Sequence, residues 1–479
     1  MSAPPSSAVS FPPGFLFGTA TAAYQIEGSV TEGDRGVSIW DTFSHTPGKV
    51  LNGDNGDVTS DHYRRLEEDL DLLSELGAPA YRFSVSWPRI QPTGKGPANQ
   101  DGLDFYRRLV DGLRDRSIAP VLTLYHWDLP QPLEDAGGWP VRDTAERFSE
   151  YASILGQSFG SEVEMWITLN EPWCSAWLGY AQGRHAPGEE DLGKAAAATH
   201  HLLLAHGQAA SAIRAESPEA KVGITLNLGV FRPASEHEDD LAAVRRADGN
   251  ANRIFLDPLF KGEYPADMLE HYARHRPGFE VIREGDLDQI STPLDFLGVN
   301  FYSPHTVAAP NRLEEAKAAG FSVAPPRHDL MADDLRAIGV GRTDLTRSAM
   351  GWEIDASGLG ELLRRLSSEH PGCPIYVTEN GNAFEDYVDP NGAVHDSARI
   401  AYLENHLRAV AAAMESGADV RGYFVWSFLD NFEWALGFSK RFGLVWVDYP
   451  TGERTPKDSY YWYRDVVRAR GLGEVPAPS

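Results

Sequence analysis

Two short segments about two hundred residues apart carry side chains whose type and setting could do chemistry. They are Ile167-Thr168-Leu169-Asn170-Glu171-Pro172 and Ile375-Tyr376-Val377-Thr378-Glu379-Asn380-Gly381. Each is a run of β-forming residues ending in a carboxylate beside an asparagine, then a chain breaker. Two carboxylates delivered from separate strand ends can stand on opposite sides of one bond. That is the minimum equipment for cleaving a glycosidic linkage: one carboxyl protonates the leaving oxygen and the other meets the positive charge at the sugar carbon.

The chain must contain elements that bring these ends together. Strand-like apolar runs occur at 15–19, 80–87, 119–126, 165–170, 222–227, 296–302, 375–379 and 422–426. Most are continuous in Val, Ile, Leu, Phe and Tyr, which suits strands buried on both faces. Helical spacing marks 61–76, 101–116, 143–159, 193–216, 359–368 and 398–416, the first of them stopping at Gly77. Strand-then-helix alternation over the whole chain predicts an α/β fold, a single (β/α)8 TIM barrel with enlarged βα loops. The long stretches 34–56, 303–351 and 382–397 would be loops after strands one, six and seven. Residues 1–12 and 471–479 read as tails, and 13–470 as one catalytic barrel.

Chemistry in such barrels sits at the C-terminal ends of the strands. Gln25 and Glu27 follow the first run, and Arg82 and Trp87 belong to the second. His126-Trp127-Asp128 closes the third, Asn170-Glu171 the fourth, Asn300 and Tyr302 the sixth, and Glu379-Asn380 the seventh. Trp426 ends the eighth, with Glu433-Trp434 in its loop. Seven of eight strand ends bearing polar groups is hard to assign to packing, because buried polarity is costly without a partner. The types suit a sugar: amides, carboxylates and imidazole for hydroxyls, indole rings for C–H faces.

Other chemistries fail on spacing. Nucleophile-elbow, phosphate-loop, dinucleotide and zinc-helix motifs are missing from the sequence. His200, His201 and His206 are not on one helical face and read as ordinary helix residues. No metal and no cofactor is expected. The net charge of −26, from 43 basic and 69 acidic residues, opposes nucleic acid and anionic lipid. No apolar run approaches the ~20 residues of a membrane helix, and the N-terminus lacks signal-peptide character. With two cysteines, Cys174 and Cys373, a reducing, cytoplasmic setting is the expectation.

The chain closely resembles glycoside hydrolase family 1. Phe15–Ala20, Tyr24–Gly28, Tyr81–Arg89, Leu124–Pro130 and Arg441–Leu444 match that family in order, and the two Glu segments match its signatures. The resemblance implies a retaining β-glucosidase acting on cellobiose, short β-glucans and aryl or alkyl β-glucosides. It implies Glu171 as acid/base and Glu379 as nucleophile, with carboxyl groups ~5–5.5 Å apart. Arg82 and Tyr302 match positions that hold the nucleophile, Asn300 lies with them, and Asn170 matches the contact to the sugar 2-hydroxyl. Gln25, His126, Trp127, Glu433 and Trp434 would hold the sugar, with Trp426 beneath its face. Trp173 and Trp352 fall where aglycone-contacting aromatics are expected. Relatives acting on 6-phosphorylated sugars carry Ser in place of Glu433 and Tyr in place of Phe442, so this pair favours an unphosphorylated substrate over a 6-phospho-β-glycoside. Catalytically dead sugar-binding relatives lack one Glu; both are present here. Burial and the Glu379 charge should raise the Glu171 pKa.

Overall fold

The computed structural model describes residues 8–275, 277–323 and 335–474. Eight parallel strands close into a barrel: β1 (Leu16–Ala20), β2 (Ala80–Ser84), β3 (Ala119–Tyr125), β4 (Met165–Asn170), β5 (Val222–Asn227), β6 (Phe296–Asn300), β7 (Ile375–Asn380) and β8 (Val420–Trp426). Each pairs with its sequence neighbours, and β8 pairs back onto β1. All eight C-terminal ends therefore share one rim. The expected strands are found, with bounds shifted by at most a few residues; β2, β3 and β6 stop earlier than expected, before Trp87, His126 and Tyr302.

The helices that cover the barrel are α1 (Leu66–Leu76), α2 (Gln100–Asp115), α3 (Arg142–Phe159), α4 (Leu192–Glu216), α5 (Glu238–Asp248), α6 (Ile254–Lys261), α7 (Ala266–His275), α8 (Ser357–Glu369), α9 (Ser397–Glu415) and α10 (Asp458–Ala469). Helix α1 ends at Gly77, whose φ of 71° caps it in the left-handed region. It begins at Leu66 rather than at the expected Asp61. Asp61 itself has φ 52°. Arg454, from the far end of the chain, binds Ser60 O (2.6 Å) and the Asp69 carboxylate (2.8 and 2.9 Å). A tertiary tie thus overrides the local helical spacing.

Three further corrections concern the connections. The stretch 303–351 is not patternless: His305–Ala308, Phe321–Val323 and Ile338–Arg342 form a small sheet with Phe231–Pro233. Residues 324–334 of that stretch lie outside the described residues. The β5–β6 connection holds α5, α6 and α7, which the hydrophobic pattern did not flag. The inner parts of both expected tails belong to the folded body: Val9–Ser10 pair with Gly471–Leu472, and Phe11 and Leu472 are buried. Apolar burial explains this, since Phe11 packs on Phe15 and Phe17. Residues 1–7 and 475–479 lie outside the described residues.

The barrel interior is filled by Ala80, Val121, Met165, Ile167, Phe296 and Phe424, with Trp426 at the rim. Gly18 leaves room for the Phe424 ring, which a Cβ there would meet at 2.4 Å. Near the rim the ladder slips at Ile167–Asn170 of β4 and at Val377–Asn380 of β7, the strands bearing the two Glu residues. Such irregularities re-aim strand-end side chains.

Candidate active site

Glu171 and Glu379 are both buried, and a continuous hydrogen-bond chain joins them. Arg82, fully buried on β2, donates Nη1 to Glu379 Oε1 (2.5 Å) and Nη2 to Asn170 Oδ1 (2.7 Å). Asn300, at the end of β6, donates Nδ2 to Asn170 Oδ1 (3.0 Å) and to Glu171 Oε1 (2.7 Å). Thr378 Oγ1 in turn donates to Asn300 Oδ1 (2.8 Å). Tyr302 donates its hydroxyl to Glu379 Oε2. Four strand ends thus fix two carboxyl groups in one network, and none of the expected catalytic set lies elsewhere.

The two carboxyls differ in their surroundings. Glu379 receives a guanidinium and a phenol. Glu171 receives an amide and, at Oε2, the Cys174 thiol at 3.1 Å. Burial, then the Glu379 charge, pushes the Glu171 pKa up to about 7. Glu171 also has a backbone φ of 48°, an uncommon conformation held by its N–H bond to Thr225 O (2.9 Å). A tight turn follows, Cys174 N–H bonding Glu171 O (2.9 Å), and returns Cys174 over the carboxylate three residues behind it, where a π-helix at Cys174–Ala181 begins.

Proton positions follow from the donor-only guanidinium. Because Arg82 binds Asn170 Oδ1, the Asn170 Nδ2 must be the atom facing His126 Nε2 at 3.0 Å. His126 Nε2 is then the acceptor, and the ring hydrogen sits on Nδ1. Burial, followed by Arg82, drives the His126 pKa well below 6.5, so the ring is neutral. Its Nδ1 is buried without a protein partner, and so is Gln25 Oε1, whose Nε2 donates to Asn431 Oδ1 and Phe432 O at 2.9 Å each. A buried donor and a buried acceptor left open at a rim are what a hydroxylated ligand would satisfy.

Aromatic rings enclose these groups. His126 stacks on Trp426 (5.8 Å, 19°) and on Trp434 (5.9 Å, 16°), and Trp434 packs on Trp127 (4.5 Å) and Trp40 (4.6 Å). Trp352 and Phe442 lie 6.1 Å apart and both pack against Tyr302. Glu433 keeps part of its surface open. Desolvation, then Glu379 and Glu171, raises its pKa to about 8.

Several of the strand-end residues are engaged by protein neighbours. The Trp127 indole N–H donates to Asn170 O (2.9 Å), so toward a ligand this residue presents its ring. With its pKa raised first by desolvation and then by the two neighbouring carboxyls, Glu433 favours its neutral form at pH 7. Glu27 turns away to Arg89 (2.6 Å) and Tyr106 (2.6 Å). Trp87 stacks on Tyr151 in the core, and Asn380 clamps Phe301 O and Tyr423. Trp173 is buried with its indole N–H unpartnered. His200 binds Tyr264 and Asp286 (2.9 Å each) and His206 binds Thr168, in line with ordinary helix residues. Both cysteines are free. Cys174, which binds Glu171, and Thr378, which binds Asn300, were not singled out from sequence; Cys174 stands three residues after Glu171, but the backbone turn that makes them meet leaves no compositional mark.

Comparison with known proteins gives the family. The model for glycosyl hydrolase family 1 matches residues 7–472. Beta-glucosidase A of Thermotoga maritima is 46% identical over 463 residues, covering 96% of this chain and 98% of that protein. A bifunctional beta-D-glucosidase/beta-D-fucosidase of Bifidobacterium breve is 50% identical over 467 residues, covering 95% and 98%. The solved family 1 β-glucosidase of T. maritima in complex with isofagomine lactam superposes with a TM-score of 0.89 at 46% identity, covering 97% of this chain and all of that one.

Proposed function

The chain belongs to glycosyl hydrolase family 1, and from that premise we propose a retaining β-glucosidase with Glu379 as nucleophile and Glu171 as acid/base. The observation that carries the assignment of roles is the asymmetry of the two carboxyls. Glu379 receives Arg82 and Tyr302, which suits an attacking carboxylate, while Glu171 is pushed up to about 7, which suits an acid at neutral pH. In the first step a Glu379 oxygen bonds to the anomeric carbon as the glycosidic C–O bond breaks, and the Glu171 proton goes to the departing oxygen. Ester formation removes the Glu379 charge, so the Glu171 pKa falls and its carboxylate takes a proton from water. The water oxygen then displaces Glu379, and the product keeps the β configuration.

The glycone is held by Gln25 Oε1, the His126 Nδ1 hydrogen, Asn170, Glu433 and Trp434, with Trp426 beneath the ring. Trp127 and Phe442 form walls, and Trp352 and Trp173 face the aglycone side. Protonated Glu433 can donate as well as accept, which fits an unphosphorylated 4- and 6-hydroxyl pair. The substrate is a small β-glucoside or oligosaccharide such as cellobiose. The net charge disfavours nucleic acid, and two free thiols suit a reducing, cytoplasmic setting.

The test is a chromogenic β-glucoside against its 6-phosphate, with NMR detection of the first anomer released. We expect preference for the unphosphorylated substrate and the β anomer first. Preference for the phosphate, or early α anomer, overturns the reading.

A further inference from the structure

The contact between Cys174 and Glu171 is not accounted for by the two-carboxylate scheme. We propose that Cys174 is a positioning residue for the acid/base, its thiol partnering Glu171 Oε2 in both protonation states. This rests on the assignment of Glu171 as acid/base.

Donors of fixed sense set the proton positions. Arg82 has hydrogens only, so Asn170 Oδ1 faces it, and Asn300 must then present Nδ2 to Asn170 and to Glu171 Oε1. Oε1 is therefore an acceptor, and the proton of neutral Glu171 belongs on Oε2. The atom 3.1 Å from Oε2 is Cys174 Sγ. Asn227 Nδ2 reaches the same sulfur at 3.6 Å and holds it in place from β5.

A thiol is a weak donor and a weak acceptor. While Glu171 carries its proton, the O–H can rest on sulfur. Once Glu171 is a carboxylate, the S–H rotates to donate to it. One contact thus serves a residue that must cycle between acid and base, and its weakness lets the proton leave for the glycosidic oxygen. A hydroxyl in its place would be a stronger donor and would favour the carboxylate. Burial and Glu171 raise the Cys174 pKa well above 9, so the sulfur keeps its hydrogen throughout. The other charged or titratable groups facing this pair are Glu379, Arg82, Tyr302, Glu433 and, for the thiol, Arg184.

The experiment compares Cys174→Ser and Cys174→Ala with the parent chain in kcat/KM, which reports glycosylation alone. An alkyl β-glucoside needs the proton to leave; a 2,4-dinitrophenyl β-glucoside does not. We expect Cys174→Ser to move the basic limb of the alkyl-glucoside profile down by about half a pH unit or more. We expect Cys174→Ala to lower alkyl kcat/KM about tenfold relative to dinitrophenyl kcat/KM. Parallel loss on both substrates, or no change in limb or ratio, makes Cys174 a packing residue and overturns the proposal. A second readout needs no change at Cys174. In the Cys373→Ala protein the remaining S–H stretching band should shift to lower frequency as pH rises through the basic limb. A band that stays fixed also overturns it. Glu171→Gln provides the separating control: if it leaves alkyl kcat/KM unchanged, the acid/base assignment has failed instead.

Discussion

Arg82 holds both halves of the site with one guanidinium, Nη1 on the Glu379 carboxylate and Nη2 on Asn170. A lysine is a point charge on a flexible stem and cannot keep both contacts. Arg82→Lys should therefore lower kcat by about a hundredfold or more while KM changes little, measured on an aryl β-glucoside. Glu379→Gly should lose several orders of magnitude, with azide or formate restoring part of the rate, because a small anion can occupy the missing carboxylate and attack the anomeric carbon. If turnover persists without added anion, Glu379 is not the nucleophile. The basic limb of kcat/KM should fall near pH 7, where Glu171 loses its proton in the free protein. Sequence made these carboxylates legible because each closes a β run beside an asparagine. It could not show that Asn170 O takes the Trp127 N–H, or that Cys174 returns over Glu171. Those depend on a positive φ at Glu171 and on the tight turn that follows it, neither of which has a compositional signal.

At the scale of elements, the loop after β8 is set by a buried ion cluster. Lys457 binds Asp430 (2.7 Å) and Asp386 (2.6 Å), Arg399 binds Asp386 (2.7 Å) and Asp396 (2.5 Å), and Arg441 binds Asp430 (2.7 Å). The loop carrying Asn431, Glu433 and Trp434 hangs from Asp430. Removing one partner strands buried charge, so Lys457→Met should destabilise the fold by about 3–5 kcal/mol, read by denaturant unfolding. A KM rise for glucosides in the surviving folded protein should accompany it. Gly381 makes a second tie, since a Cβ there would meet Trp426 O at 1.7 Å. Strands were readable because burial on both faces writes long apolar runs. The start of α1 was not, because Arg454 decides it from nearly four hundred residues away. The sheet within 303–351 was hidden for another reason: its strands are three to five residues long and partly exposed, too short to show a period.

For the whole molecule, the site weakens the fold at alkaline pH. Glu171 and Glu433 have folded pKa values of about 7 and about 8, above the 4.5 of an exposed carboxyl. A raised carboxyl pKa means the unfolded chain loses its proton first, so stability is intact below about pH 4.5 and declines as pH rises through 7 and 8. Glu433→Gln should therefore raise the melting midpoint at pH 8.5 by a few degrees and leave it nearly unchanged at pH 5. Calorimetry at the two pH values checks the difference; an equal shift at both would show that ionisation is not its cause. The strands at Val9–Ser10 and Gly471–Leu472 lie beside each other below β1, on the face of the barrel opposite the rim that carries Glu171 and Glu379. An anchor joined next to either strand would hold the protein by its base. Grafted to a bead or a second enzyme in that way, the molecule presents its mouth outward, ready for substrate arriving from bulk solution.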